Sequence, residues 1–167
     1  SESGLGKTHL LQAIGHNIKK KGGTLLYAST EQFTNEYIGA IRNRTTDEFR
    51  DKYRNVDLLL LDDIQFIIGK EQTQEGFFHT FNSLHMDKKQ IVVTCDRPAT
   101  MLNSLTDRIR TRLEGGLVVD IQPPDLETRV AILESKATKH GVTVPSNVLF
   151  FIAEISPSNV RELEGNL

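Results

Sequence analysis

The sequence predicts an α/β fold, a parallel sheet covered by helices on both faces, followed by an all-helical segment. Three observations carry that expectation. Short apolar runs alternate with stretches of helical periodicity from the start of the chain, as crossover-linked parallel strands require. A glycine-rich stretch, SESGLGKT at 1–8, leads directly into the first helical stretch. The most apolar run, LLLL at 58–61, ends in two consecutive aspartates, Asp62 and Asp63.

The elements follow in order. Leu10, Leu11, Ile14 and Ile18 recur at helical spacing until Gly22 and Gly23 end the helix. TLLYA at 24–28 reads as a short buried strand. Ser29 and Gln32 stand at capping-box spacing and open a helix with Phe33, Tyr37, Ile38 and Ile41 at its apolar positions. Thr45 and Glu48 make a second box, for a short helix carrying Phe49 and Tyr53. Two successive helices between strands exceed what a plain crossover needs.

VDLLLL at 56–61 is the clearest buried strand, and a helix from about Thr73 turns Phe77, Phe78, Phe81 and Leu84 inward. QIVVT at 90–94 is the next strand. Pro98 begins a short helix, and Leu105, Ile109 and Leu113 mark an amphipathic one. After Gly115 and Gly116, residues 117–121 read as a further strand. Pro123 and Pro124 then mark a boundary, which divides an α/β core (1–122) from a helical lid (123–167). The lid holds a helix over 125–140 closed by Gly141, and a second after Pro145 with Val148, Phe151 and Ile152. A third starts at Ser158 or Asn159, with Glu162 at capping-box spacing.

Composition narrows the function classes. With 167 residues the chain has room for one domain with a sizeable core, or one and part of a second. Twenty basic against 22 acidic side chains give a net charge of −2, and no polybasic run marks a duplex-DNA binder by bulk electrostatics. Local binding to a single strand needs only a few well-placed groups. The run at 58–61 is far too short to span a bilayer, and no signal-peptide pattern opens the sequence. The single cysteine, Cys95, excludes an intramolecular disulfide and suits a reducing cytosol, so a cytoplasmic location is expected.

Consecutive backbone N–H groups of a glycine-rich turn, ending at a helix N-terminus, form an anion cradle. Lys7 then reaches β- and γ-phosphates, and the Thr8 hydroxyl ligates Mg²⁺. Ser1 stands where the G-x-x-x-x-G-K-[ST] pattern carries its first glycine, so the loop alone leaves an ordinary turn as an alternative. The DD strand end weighs against that alternative. Carboxylates there lie where ligands bind in open α/β sheets. One holds Mg²⁺ directly or through water, and its neighbour orients or deprotonates an attacking water.

Thr94 and Asp96 end the neighbouring strand, where either can sense a γ-phosphate or hold that water. Arg108 and Arg112 lie at i and i+4, opposite Ile109 and Leu113; spacing alone reads them as a solvated basic face. Arg161, one turn into a lid helix, reads equally as a partner of Glu162 or Glu164 or as a cation for bound nucleotide.

Taken together, GLGKTHLL, LLLLDDIQF, FFHTFN, TDRIRTRL, PPDLETRVAIL and SNVRELEG resemble one family, the bacterial DnaA-type replication initiators within the AAA+ ATPases. The resemblance runs in order across nearly the whole chain. It implies a P-loop fold with ATP or ADP and Mg²⁺ as ligands. Gly4, Gly6, Lys7, Thr8 and His9 belong to the nucleotide loop (Walker A), and Asp62 and Asp63 form the Walker B pair, with Thr8 and Asp62 on the metal. Asp96 matches sensor I and Arg161 sensor II. Arg112 matches the arginine finger acting on the next subunit's ATP, with Arg108 its companion at the oligomer interface. The helices over 31–53 match an initiator insertion, in which Ile38 touches single-stranded DNA in a central channel. Lys70 matches a basic channel residue, whereas Gln72 stands where a second, often arginine, is usual.

Asp63 replaces the glutamate of most AAA+ proteins, so the expected activity is weak ATP hydrolysis serving as an assembly switch. The implied partners are origin DNA, further copies in a right-handed filament, the replicative helicase machinery and acidic membrane lipids. The family's strand before the loop and its C-terminal duplex-reading module are not in the sequence. The expectation is therefore a fragment with a gap between strands 90–94 and 117–121. A helicase loader or regulatory paralogue of the initiator is the alternative; a metabolic P-loop kinase fits worse, for want of an acceptor site.

Overall fold

A computed structural model describes residues 4–156 and 159–165. Ser1, where the loop pattern departs, and Ser158, one of the two expected helix starts, lie outside the described residues. Two compact units divide the chain: residues 8–119, and a second made of the described residues 4–7 and those from 120 onward.

Strands β1 (Leu25–Ser29), β2 (Leu58–Asp62) and β3 (Gln90–Val93) form a parallel sheet in the order β1-β2-β3. Register pairs Leu26 with Leu59 and Leu59 with Ile91. The continuous leucine run of β2 follows from its central place, since a strand covered on both faces needs no polar alternation. Leu58 and Leu60 face helix α1 (Lys7–Lys20) and pack with Leu11, Ile14 and Ile18. Leu59 and Leu61 point the other way, into the larger core with Phe33, Phe49, Tyr53, Phe77, Leu84 and Ile109. Period-2 side-chain alternation within one apolar strand thus builds two cores.

The expectation of a buried strand at 24–28 needs correction. β1 lies at the sheet edge and Tyr27 is 38% exposed, because a residue of an edge strand meets neighbours on one side only.

The opposite core is made by α2 (Thr30–Asn43), α3 (Thr46–Arg54), α4 (Glu71–Met86) and α5 (Asp107–Glu114). Ser29 Oγ accepts the Gln32 N–H at 3.1 Å and starts α2 as its spacing predicts. The second expected box does not form: Thr45 caps no N–H with its side chain. Its backbone is committed to closing α2 instead. Arg44 turns left-handed at φ 58°, and the Thr45 N–H is bonded to Ala40 O at 2.9 Å.

An aromatic cluster joins α2, α3 and α4. The Phe33 ring lies 5.0 Å from Tyr53, 5.2 Å from Phe49 and 6.4 Å from Phe77, edge-on in each case. Burial of the Tyr53 phenol and the Glu36 carboxylate beside it push its pKa well above the usual tyrosine value.

Residues 117–121 form no strand. Leu117 is 94% exposed and Val119 68%, and β3 pairs with β2 alone among the described residues. An apolar run becomes a strand only where a neighbour takes its N–H and C=O groups.

In the second unit α6 (Leu126–Lys139), α7 (Ser146–Ile155) and α8 (Val160–Gly165) bury Leu133, Leu149, Ala153 and Leu163 together. Asp125 caps α6 by accepting the Thr128 N–H at 2.8 Å. Gly141, at φ 71°, ends it, with the Val142 N–H on Ala137 O at 2.9 Å.

Truncation of the aromatic cluster should be far more harmful than truncation outside it. Phe33→Ala is expected to lower the unfolding free energy by roughly 3–5 kcal/mol in urea titration. Phe66→Ala, at a ring 52% exposed, should stay within about 0.5 kcal/mol of the parent.

Candidate nucleotide site at the end of the central strand

Asp62 ends β2 and is only 5% exposed. A carboxylate so placed needs hydrogen-bond donors to offset its lost hydration. Three hydroxyls, from α1, β1 and the segment after β3, supply them. Thr8 Oγ1, in the first turn of α1, donates to Asp62 Oδ2 at 2.6 Å. Tyr27 OH, from β1, donates to the same oxygen at 3.2 Å. Thr94 Oγ1, just past β3, donates to Oδ1. Below the carboxylate, Thr30 Oγ1 donates to the Asp62 carbonyl at 2.8 Å. Burial, together with the Asp62 charge and hydrogen bond, raises the Tyr27 phenol above its ordinary pKa.

Asp63 leaves the strand in a left-handed conformation, φ 61° and ψ 56°. Aspartate tolerates this region better than most residues. The Asp63 N–H donates to Thr94 Oγ1 at 2.8 Å, so one hydroxyl serves both aspartates. A short 3₁₀ turn, Ile64–Ile67, follows, with its Ile64 N–H on Thr94 O at 2.9 Å. Gln65 Nε2 donates to Asp63 Oδ1 at 3.1 Å.

Asp96 does not join the two aspartates directly. Its carboxylate pairs with Arg97, Nε to Oδ1 at 3.0 Å and Nη2 to Oδ2 at 2.6 Å, while its N–H donates to Gln65 Oε1 at 3.3 Å. Between them Cys95 is half-buried against the core, and burial pushes its thiol pKa up.

The glycine loop has backbone that suits glycine at both described positions, with φ 84° at Gly4 and 94° at Gly6. A Cβ at Gly4 would also meet Asn159 Oδ1 at 2.1 Å. Lys7 opens α1, followed by the exposed Thr8 and His9.

The Thr8 hydroxyl and Asp62 carboxylate are hard oxygen donors, the kind Mg²⁺ takes. The described residues include no cluster of three or more His, Cys, Asp or Glu suited to a metal. A pair of protein oxygens fits an ion that keeps waters and phosphate oxygens as its remaining ligands.

The arginines of α5 separate by environment. Arg110 anchors the helix, pairing with Asp107 at 3.0 Å and donating to the Leu102 and Leu105 carbonyls. The Arg108 guanidinium lies 4.7 Å from the Phe78 ring centroid. Arg112 is exposed and has no ion-pair partner among the described residues. In α8, Arg161 is exposed, its backbone N–H bonded to Asn159 Oδ1 at 2.9 Å, and it forms no ion pair with Glu162 among the described residues.

Away from the strand end, Ile38 and Lys70 line one groove of about 390 Å³ with Thr34, Gly69, Gln72 and Thr73, between α2 and the start of α4. No motif in the sequence marks Tyr27, Thr30 or Gln65 for the site. Tyr27 carries a polar tip within the apolar run 25–28, and Gln65 stands two residues past the aspartate pair; both are weak signals.

Thr94→Val removes the hydroxyl that serves both aspartates and keeps the side-chain volume. It should cost roughly 1–3 kcal/mol in urea unfolding, as partly buried polar groups lose a partner. Thr94→Ser should retain most of that stability.

Residues 1–120 match the family described as the bacterial DnaA ATPase domain. Domain III of the replication initiation protein DnaA from Thermotoga maritima is 42% identical, covering 99% of this chain and 70% of that one, with a TM-score of 0.94. DnaA from Aquifex aeolicus bound to AMPPCP is 42% identical over 99% of this chain and 51% of its own, with a TM-score of 0.88. A DnaA bound to AMPPCP and single-stranded DNA matches with the same identity, coverage and score. The chain spans about half the length of these last two proteins. With a match over residues 1–120 and the fold of solved DnaA structures, the chain belongs to the bacterial DnaA ATPase domain family.

Proposed function

We propose that this chain is the ATP-binding, slowly hydrolysing module of a replication initiator, one that assembles on origin DNA when ATP is bound and promotes duplex opening. The observation that carries this reading is the meeting of the Thr8 hydroxyl with the Asp62 carboxylate, 54 residues away in sequence, at the end of the central parallel strand. Family membership and the nucleotide-bound relatives support the same reading.

In this reading Gly4, Gly6, Lys7, Thr8 and His9 bind the nucleotide phosphates, and Thr8 and Asp62 hold Mg²⁺. The ion, when bound, neutralises charge on the β- and γ-phosphate oxygens. Asp63 orients the attacking water and takes its proton, and Asp96 senses the γ-phosphate from the neighbouring strand. The water oxygen bonds the γ-phosphorus as the bond to the β–γ bridging oxygen breaks, and ADP and phosphate leave. The short Asp63 carboxylate makes this slow, so that ATP acts mainly as an assembly signal.

Arg112 reaches the γ-phosphate of the next copy, which suits its exposure and its lack of an ion-pair partner among the described residues, and Arg108 supports that interface. Arg161 reports on nucleotide from the helical unit. The boundary near residue 122 then separates a core from a lid that responds to ATP or ADP. A cytoplasmic location and contact with the replicative helicase machinery belong to the same proposal; among the described residues no helix is long and apolar enough to cross a membrane.

Two experiments test it. Arg112→Ala should leave ATP affinity within about twofold and abolish ATP-dependent assembly, whereas Lys7→Ala should weaken ATP binding by at least about tenfold, or 1.4 kcal/mol. Loss of ATP binding with normal assembly in Arg112→Ala would overturn the assignment.

The groove holding Ile38 and Lys70 supports contact with a single strand, because it sets an apolar side chain beside a cation at a helix N-terminus. Lys70→Ala should weaken single-strand binding across sequences and flatten the log K against log salt slope by about 0.7. Ile38→Ala should weaken binding with the slope unchanged. An unaltered slope for Lys70→Ala would place the phosphate contact elsewhere.

A further inference from the structure

Gln65 joins two groups that the sequence presents separately. Its Nε2 donates to Asp63 Oδ1 at 3.1 Å, and its Oε1 accepts the Asp96 N–H at 3.3 Å. A side-chain amide suits both contacts, because it carries a donor nitrogen and an acceptor oxygen side by side. The residue is held in place from both sides. Ile64 and Ile67, its neighbours in the 3₁₀ turn, are buried, and the turn is pinned by the Ile64 N–H on Thr94 O. Meanwhile the left-handed backbone takes Asp63 out of the strand pleat, which therefore no longer sets where its carboxylate points. Among the described residues no other side chain hydrogen-bonds the Asp63 carboxylate.

We propose that Gln65 is a positioning residue for the hydrolytic step. Its amide fixes the Asp63 carboxylate through Oδ1, leaves Oδ2 to the attacking water, and ties that orientation to the backbone at Asp96. A shift of the Asp96 segment on γ-phosphate binding or loss is then transmitted to Asp63 through one side chain. The inference rests on the reading of Asp63 as the group that orients the water and accepts its proton.

The test is single-turnover hydrolysis by the full-length protein, assembled and saturated with ATP, with the ATP dissociation constant measured separately. Gln65→Glu keeps the length and the acceptor for the Asp96 N–H but sets a carboxylate against Asp63 where the donor was. Gln65→Leu removes both bonds at similar volume. Each should lower the hydrolysis rate roughly ten- to a hundredfold, as expected for a misplaced catalytic group. ATP affinity should stay within about twofold, which separates an effect on the step from an effect on binding and reports an intact fold.

If Gln65 merely fastened the Asp96 backbone, Gln65→Glu would hydrolyse at the parent rate, and that result would overturn the proposal. Asp63→Asn is the control. Should it be inactive while both Gln65 variants turn over normally, Asp63 keeps its role and Gln65 loses its own. Normal turnover by Asp63→Asn would remove the role of Asp63 and the proposal with it.

Discussion

A buried carboxylate at the end of the central strand governs the arrangement around it. Asp62 gives up nearly all contact with water, and hydroxyls from α1, β1 and the segment after β3 compensate. Each of those hydroxyls is delivered by an element whose position is set by the leucines of β2. Leu58 and Leu60 hold α1 on one face; strand pairing holds β1 and β3 at either side. Apolar packing and polar satisfaction therefore specify the same geometry, and neither is met if the sheet order changes. Agreement between those two levels is what singles out one fold among compact alternatives.

On the other face the same strand organises a second feature through Leu59 and Leu61. They support the Phe33, Phe49, Tyr53 and Phe77 rings, and those rings hold α2 and α3 against α4. The groove that holds Ile38 and Lys70 lies between α2 and the start of α4, two helices that the aromatic cluster joins. A pair of helices that exceeds the needs of a crossover thus has a packing reason to stand where it does.

Much of the fold was legible because its signals are local. Leucine runs, helical spacing and the cap at Ser29 each act within a few residues, and the structure places elements at them. The errors were non-local. Residues 24–28 and 56–61 look alike as apolar runs, yet only sheet order makes one an edge and the other a centre. Residues 117–121 carry a strand pattern without a paired neighbour. The Thr45 box fails because its backbone completes the preceding helix. Asp62 and Asp63 were legible from their place at a strand end, whereas the link from Asp63 through Gln65 to Asp96 was not.

Taken alone, the sequence determined the alternation of strands and helices, the glycine loop, the acidic strand end and the family they resemble. Those properties depend on residue type and short spacing. Tertiary structure decided which groups share a carboxylate, which arginine of α5 anchors the helix and which stays exposed, and which side chain spans two strand ends. Hydrogen bonds between residues 31 to 54 positions apart follow from sheet order and register, which short-range periodicity does not contain.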